Sequence, residues 1–201
     1  MYKIKILPHI SNEEEFFMKN IKRILFVFLG FLVIFTTACD NVSNTPTRKV
    51  EELMGKYQSV DEDVLDDLND VINSESNLTD KQQDRYRELL KKQYQNLTYE
   101  IKEEKIDGDN ATVETEIEVI DLAKVNKDAE NYLKEHKDEF NDDKGNFSQE
   151  KYTDYKLDKM EDAKDKIKYT LELTLTKEDN EWKLDNLTET ERQKIHGIYN
   201  Q

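Results

Sequence analysis

The sequence has one cysteine, five glycines and far fewer basic than acidic residues. A single cysteine allows no internal disulfide, so a folded domain of this chain must be stabilised by its apolar core. The chain contains no glycine-rich phosphate loop and no Ser-His-Asp spacing that predicts a catalytic triad. Its 30 Lys and Arg residues against 45 Asp and Glu residues give a net charge of -15. This charge argues against binding to nucleic acid or adsorption on anionic lipid.

The one cysteine, Cys39, lies at the end of an apolar segment. Apolar residues fill positions 24–35, three basic residues lie just before them, and Thr36, Thr37 and Ala38 precede the cysteine. This order is typical of a bacterial lipoprotein signal peptide. We therefore expect cleavage between Ala38 and Cys39 and attachment of diacylglycerol, with fatty acids such as palmitate, to the Cys39 thiol.

An uncleaved membrane helix is the alternative interpretation of this segment. Such a helix needs about 20 apolar residues to cross the hydrocarbon core, whereas Ile24 to Ala38 provides only 15 residues even when its two polar threonines are counted. The short length favours cleavage. One position departs from the usual pattern, because Thr36 stands where lipoprotein signals generally carry an aliphatic residue, and we expect slower processing.

The first seventeen residues do not fit a signal peptide, since Glu13, Glu14 and Glu15 lie where positive charge is required. Three glutamate codons followed by two phenylalanine codons also resemble a translated ribosome-binding site and its spacer. We hypothesise that Met18 is the true start of the protein and that residues 1–17 result from a misassigned start codon. An extended amino-terminal region is the alternative.

The remaining chain divides into a signal peptide at residues 18–38, the lipidated cysteine with a tether at 39–45, and a single domain at 46–201. Removal of residues 1–38 leaves 163 residues, which is enough for one domain. The removed part carries five basic and three acidic residues, so the net charge changes from -15 to -17. We expect the lipid to hold this acidic protein at the membrane.

Hydrophobic periodicity predicts an α+β domain. Apolar residues at helical spacing, with caps at Thr45 and Thr79, predict three helices in its first third. Alternating residues on both sides of the turn at 107–110 predict a hairpin, and strands near 167–175 and 181–185 predict a second one. A helical insert over 122–163 separates the hairpins, and a short helix near 190–199 follows. We expect N-terminal helices packed on a curved antiparallel sheet of about four strands.

This arrangement resembles the cone-shaped nuclear-transport-factor-2-like, or cystatin-like, fold. The resemblance is carried by the helical opening Thr47–Met54, the hairpin Asp107–Asp109 and the closing strand Glu181–Asp185, and it covers roughly residues 46–188. The insert departs from the simplest form of that fold. The chain also looks like the small, uncharacterised lipoproteins of low-GC Gram-positive bacteria. What the resemblance implies is a cone with an internal pocket.

Polar residues on apolar faces are the candidates for such a pocket. His136 shares helical spacing with Tyr132, and Tyr169 lies on a following strand, so these three are the pocket candidates. A lone histidine in this setting is more often structural, and neither His136 nor His196 has a partner visible in the sequence. We therefore expect no catalytic residue, no cofactor and no enzymatic activity.

The loop at 141–147 resembles a calcium-binding loop between two helices. In the EF-hand frame, however, Phe140, Lys144 and Lys151 would occupy positions that need oxygen ligands. The carboxylates between Asp61 and Asp70 are typical of a solvated helix face. We expect no specific metal site.

These observations predict a membrane-anchored lipoprotein on the extracytoplasmic side, acting without catalysis as a binding or accessory module of the cell envelope. Its partners would be the membrane, through the lipid on Cys39, and an unidentified envelope protein or small ligand. We expect a monomer that does not bind nucleic acid. The alternative is a small-molecule-binding or enzymatic cone domain, of hydrolase or isomerase type, that uses His136.

The Met18 hypothesis predicts the composition of the cellular precursor. When lipoprotein signal peptidase is inhibited, mass spectrometry should find a precursor that starts at Met18 or Lys19. Met18→Ala should abolish expression, whereas the control Met1→Ala should leave the protein level unchanged. A peptide from residues 1–17 in the wild-type precursor would contradict the hypothesis.

Overall fold

The computed structural model describes residues 44–74 and 77–200 of the chain. This part of the chain begins with three helices. They are α1 (Pro46–Ser59), α2 (Glu62–Ser74) and α3 (Asp80–Gln95). The predicted caps are present, because the Thr45 hydroxyl accepts a hydrogen bond from the amide of Arg48 and Thr79 forms a capping box with Gln82. Each cap satisfies amides that have no partner inside the helix. Cys39 and the predicted signal peptide lie outside the described residues.

A four-stranded antiparallel sheet, in the order β1-β2-β3-β4, accompanies the helices. Its strands are β1 (Thr98–Asp107), β2 (Asn110–Ile120), β3 (Lys166–Glu178) and β4 (Glu181–Leu184). On β2, buried residues, all apolar except Thr115, alternate with mostly polar half-exposed ones, as the period-two pattern predicts. The polar face carries cross-strand ion pairs between Glu116 and Lys168 and between Glu118 and Lys166, both at 2.8 Å.

The insert between β2 and β3 contains α4 (Leu122–Glu135), a 3-10 turn (Lys137–Phe140) and α5 (Gln149–Glu161). The helical spacing from Leu122 to Phe140 favours one continuous element. Instead, α4 ends where His136 leaves the helical conformation, with φ -128° and ψ 34°. The tighter turn that follows places Phe140 against Tyr152 of α5, with ring centroids 5.4 Å apart. The insert therefore has its own small apolar cluster, formed by Ala129, Phe140 and Tyr152 with Tyr132, Leu133 and Tyr155 around them.

The main core lies between the sheet and the helices, including the last helix α6 (Glu189–His196). Its fully buried side chains come from every layer, for example Met54 on α1, Leu90 on α3, Ile117 on β2, Leu171 on β3 and Ile195 on α6. The α+β prediction is confirmed by these helices and by the open four-stranded sheet. The resemblance to the cone-shaped fold stays a prediction. No helix within residues 44–74 and 77–200 is long and apolar enough to cross a membrane.

Gly197 ends α6 in a left-handed conformation with φ +73°. A Cβ atom at this position would lie 2.2 Å from the Ile120 carbonyl oxygen and 2.3 Å from the Gln93 side-chain nitrogen. Both neighbours belong to other elements and cannot withdraw without breaking their own hydrogen bonds. The C-terminal helix can approach α3 and β2 this closely only because residue 197 has no side chain.

Gly197→Ala should therefore lower the free energy of unfolding by about 3 kcal/mol, because left-handed strain adds to the clash. Gly55→Ala is the matched control. Gly55 lies inside α1, where an added Cβ atom would meet nothing within 4 Å, so this change should raise stability by about 0.5–1 kcal/mol. Urea denaturation of the purified variants measures both effects, and equal stabilities of the two variants would contradict the packing described here.

Candidate functional site

Two of the three residues predicted for a pocket lie together in the insert. The rings of Tyr132 and His136 stack with their centroids 4.1 Å apart. The Tyr132 hydroxyl donates a hydrogen bond of 2.8 Å to the carboxylate of Glu139, and His136 Nδ1 lies 3.1 Å from the other oxygen of that carboxylate. The hydrogen bond to Glu139 raises the pKa of Tyr132. Glu139 is thus the partner that sequence reasoning did not assign to His136, although its position three residues later was a usable signal.

Both faces of the Tyr132 ring are covered. His136 stacks on one face, and Tyr155 of α5 stacks on the ring at 4.9 Å. Lys159 lies over the Tyr155 ring with its ammonium nitrogen 5.3 Å from the centroid. A groove of about 320 Å³ runs beside these rings. The stack links α4 to α5, so the Tyr132 ring is used in packing between these two helices.

Tyr169, the third predicted residue, lies elsewhere. It is buried on β3 in the main core, where its hydroxyl donates a hydrogen bond of 2.8 Å to the Tyr199 carbonyl oxygen. The two rings also meet edge to face at 5.8 Å. Burial raises the pKa of Tyr169 to about 12. Its contacts attach the residues after α6 to the sheet, and it is not part of the Tyr132 and His136 cluster.

A different histidine, His196, lines a cleft of about 250 Å³ between α1, α2, α3 and α6, which we call the His196 cleft. Its floor consists of three buried aromatic side chains. Tyr57 and Tyr94 meet edge to face at 5.1 Å, and the rings of Tyr94 and His196 lie 5.7 Å apart. One wall is formed by apolar side chains of α2, namely Val64, Leu68 and Val71. The sequence predicts a short helix around His196 but carries no signal for the burial of this side chain.

Charged side chains form the rim of the His196 cleft: Asp67 and Asp70 on α2, and Glu189 and Arg192 on α6. Burial lowers the pKa of His196 from 6.5 to about 4, with Glu189 opposing and Arg192 reinforcing this effect. Burial also raises the pKa of Tyr57 to about 12, with a smaller contribution from Asp67. The floor of the cleft is therefore uncharged at neutral pH.

A larger groove of about 390 Å³ runs along α3 between Gln93 and Arg85. Arg85 forms ion pairs with three carboxylates of α5, at 3.4 Å to Asp154, 2.5 Å to Asp158 and 2.8 Å to Glu161. The hydrogen bond to Glu161 is the main reason why the pKa of Arg85 is raised. Because the ion pairs of Arg85 link α3 to α5, we assign this groove a structural role.

Metal ligands do not gather in the described residues, where no group of three or more His, Cys, Asp or Glu side chains could hold an ion. In the loop at 141–147, the Asp142 carboxylate accepts hydrogen bonds of 2.8 Å from the amides of Lys144 and Asn146. These bonds, chiefly the one from Asn146, lower the pKa of Asp142. The carboxylate orders its own loop, in the manner of an Asx turn.

Residues 42–197 match a family model described as a domain of unknown function, DUF5105. The chain belongs to this family. A solved structure from Bacillus subtilis, described as a "putative lipoprotein (ycdA)", is similar at 16% sequence identity and a TM-score of 0.39. The similarity covers 85% of this chain and 53% of the Bacillus chain, so this DUF5105 protein spans about half the length of that one. No curated protein matches the chain.

The low pKa of His196 predicts a loss of stability in acid. The unfolded chain binds a proton near pH 6.5, whereas the folded protein resists protonation until about pH 4. The free energy of unfolding therefore falls as the pH decreases from 6.5 to about 4, and at about 1.4 kcal/mol per pKa unit the loss approaches 3 kcal/mol.

Urea denaturation at about pH 7 and about pH 4 measures this loss against that of His196→Gln, which lacks the titrating group. The carboxylates titrate in both proteins, so the difference between the two pH dependences isolates His196. His136→Gln is the matched control, because it makes the same exchange outside the His196 cleft, and it should retain the acid loss that His196 causes. If His196→Gln loses as much stability in acid as the wild type, His196 does not titrate as described.

Proposed function

We propose that this DUF5105 protein is a lipid-anchored extracytoplasmic protein that acts as a non-catalytic binding or accessory module of the cell envelope. The observation that carries the proposal is the order of basic residues, apolar segment, small residues and Cys39. The lipid attaches to the Cys39 thiol, and cleavage behind Ala38 then makes Cys39 the first residue of the mature protein. The protein then remains at the outer face of the cell membrane.

The first described residue supports a short connection between anchor and domain. The Asn44 side chain donates a hydrogen bond of 2.7 Å to the Asn180 carbonyl oxygen and accepts one of 2.9 Å from the Trp182 amide. These bonds attach the start of the domain to the turn between β3 and β4. Cys39 lies five residues earlier in the sequence, so the tether spans at most about 18 Å when fully extended.

The surroundings of His136 support a role without catalysis. The side chain of His136 is 42% exposed and that of Glu139 is 56% exposed. A hydrolase or isomerase that used His136, the alternative function, would need the imidazole and a tyrosine hydroxyl directed into one enclosed pocket. We propose instead that Glu139 and Tyr132 stabilise the end of α4, and that the partner of the domain is an envelope protein or a small ligand.

The lipid anchor is tested by metabolic labelling of the full-length chain in a Gram-positive host with an alkyne analogue of palmitate. The wild-type protein should be labelled and found in the membrane fraction. Cys39→Ser should lose the label and accumulate as a larger precursor that retains its signal peptide. Ser43→Ala, which leaves the cysteine in place, should be labelled as strongly as the wild type.

Protease added to intact protoplasts tests the sidedness, and it should degrade the wild-type domain while sparing a cytoplasmic marker. Retention of the label in Cys39→Ser would contradict lipidation at this residue. Protection of the domain in intact protoplasts would contradict the extracytoplasmic location.

A further inference from the structure

The His196 cleft combines an aromatic floor, an aliphatic wall and a charged opening. Its floor is aromatic, since Tyr57, Tyr94 and His196 are between 1% and 8% exposed. Its wall on α2 is aliphatic, and its volume of about 250 Å³ suits a small organic molecule. Above the apolar floor, the opening is surrounded by charged groups.

The charges at this opening are mainly negative. Asp67 and Asp70 face Glu189 and Arg192 across the cleft, which leaves a formal excess of two negative charges. Arg192 is already engaged, because its Nε atom lies 3.8 Å from the Glu189 carboxylate. Asp67 and Asp70 form no ion pair with any residue in the ranges 44–74 and 77–200. Two carboxylates without a counter-ion therefore stand beside a buried aromatic floor.

The floor itself supplies no compensating positive charge. His196 is neutral at pH 7 because burial lowers its pKa, and burial likewise raises the pKa of Tyr57 and Tyr94, so both hydroxyls stay protonated. Neutral aromatic rings attract cations through their negative faces. An ammonium group at the level of Asp67 would meet carboxylate charge on one side and the aromatic and aliphatic lining of the cleft on the other.

We propose that the His196 cleft binds a small alkylated ammonium compound, with its cationic head near Asp67 and Asp70 and its alkyl groups against Tyr57 and Leu68. This inference deepens the proposed binding role and rests on it. Aromatic side chains together with carboxylates are the chemistry that recognises quaternary ammonium groups. A bare divalent metal ion would gain nothing from the aromatic and aliphatic surfaces, because it requires converging oxygen ligands.

Choline is a suitable probe, and 3,3-dimethylbutan-1-ol is its uncharged counterpart of the same shape. Isothermal titration calorimetry of the full-length protein in phosphatidylglycerol nanodiscs should show saturable binding of choline and no binding of the alcohol. Empty nanodiscs provide the blank. The same titration in phosphatidylcholine nanodiscs separates two sources of this chemistry, since a lipid headgroup in the cleft would suppress the choline signal and a free solute would not.

Asp67→Asn tests the rim, because it removes one charge from an exposed side chain and keeps its shape. It should weaken choline binding about tenfold, the equivalent of roughly 1.4 kcal/mol. Asp66→Asn is the matched control, since Asp66 is on the same helix but does not line the cleft. It should leave the dissociation constant within about twofold of the wild type.

Equal binding of choline and its uncharged counterpart would overturn the inference, as would equal weakening by Asp66→Asn and Asp67→Asn. Displacement of choline by calcium ions would also overturn it, because the acidic rim would then be a metal-binding surface. Absence of choline binding by a protein that is still labelled at Cys39 would refute the ligand class and leave the lipid anchor intact. The two proposals are therefore tested separately.

Discussion

The side chain of Gln93 joins the elements on which the rest of this domain depends. Its nitrogen donates hydrogen bonds to the carbonyl oxygens of Ile120, at 2.9 Å, and His196, at 3.2 Å, and its oxygen accepts a bond of 3.0 Å from the Ile120 amide. Gln93 is only 2% exposed. This one side chain thus pairs with backbone groups of both the last residue of β2 and the last turn of α6. A residue without this amide would remove the partner of one buried and two partly buried backbone groups, at a cost of up to about 1–3 kcal/mol each.

The position of the His196 cleft follows from this junction. Because Gln93 and Gly197 bring α6 close to α3, the His196 ring is placed next to Tyr94, one residue after Gln93 on α3. The same approach carries Glu189 and Arg192, at the other end of α6, toward α2. A short helix of eight residues thereby completes the cleft. The junction that stabilises the fold also assembles the site we propose for ligand binding.

Aromatic residues have two separate uses in this chain. In the insert, Tyr132 and Tyr155 stack to hold α4 and α5 together, away from the main core. In the main core, Tyr57 and Tyr94 are buried and line the His196 cleft. Tyrosine suits both places because the ring packs like an apolar group and the hydroxyl tolerates water. Its abundance alone therefore does not distinguish a structural cluster from a binding site.

Features that depend on neighbours along the chain were predictable from the sequence. The caps at Thr45 and Thr79, the alternation on β2 and the turn at Asp107–Asn110 involve residues within a few positions of one another, so local patterns were sufficient. The pattern at Cys39 likewise predicts the anchor. The packing of the folded chain, in contrast, separates Tyr169 from Tyr132 and buries His196. These outcomes depend on contacts between distant residues, such as the bond between Gln93 and His196, which are 103 positions apart. No local pattern encodes a contact over that distance, because the packing of whole elements creates it.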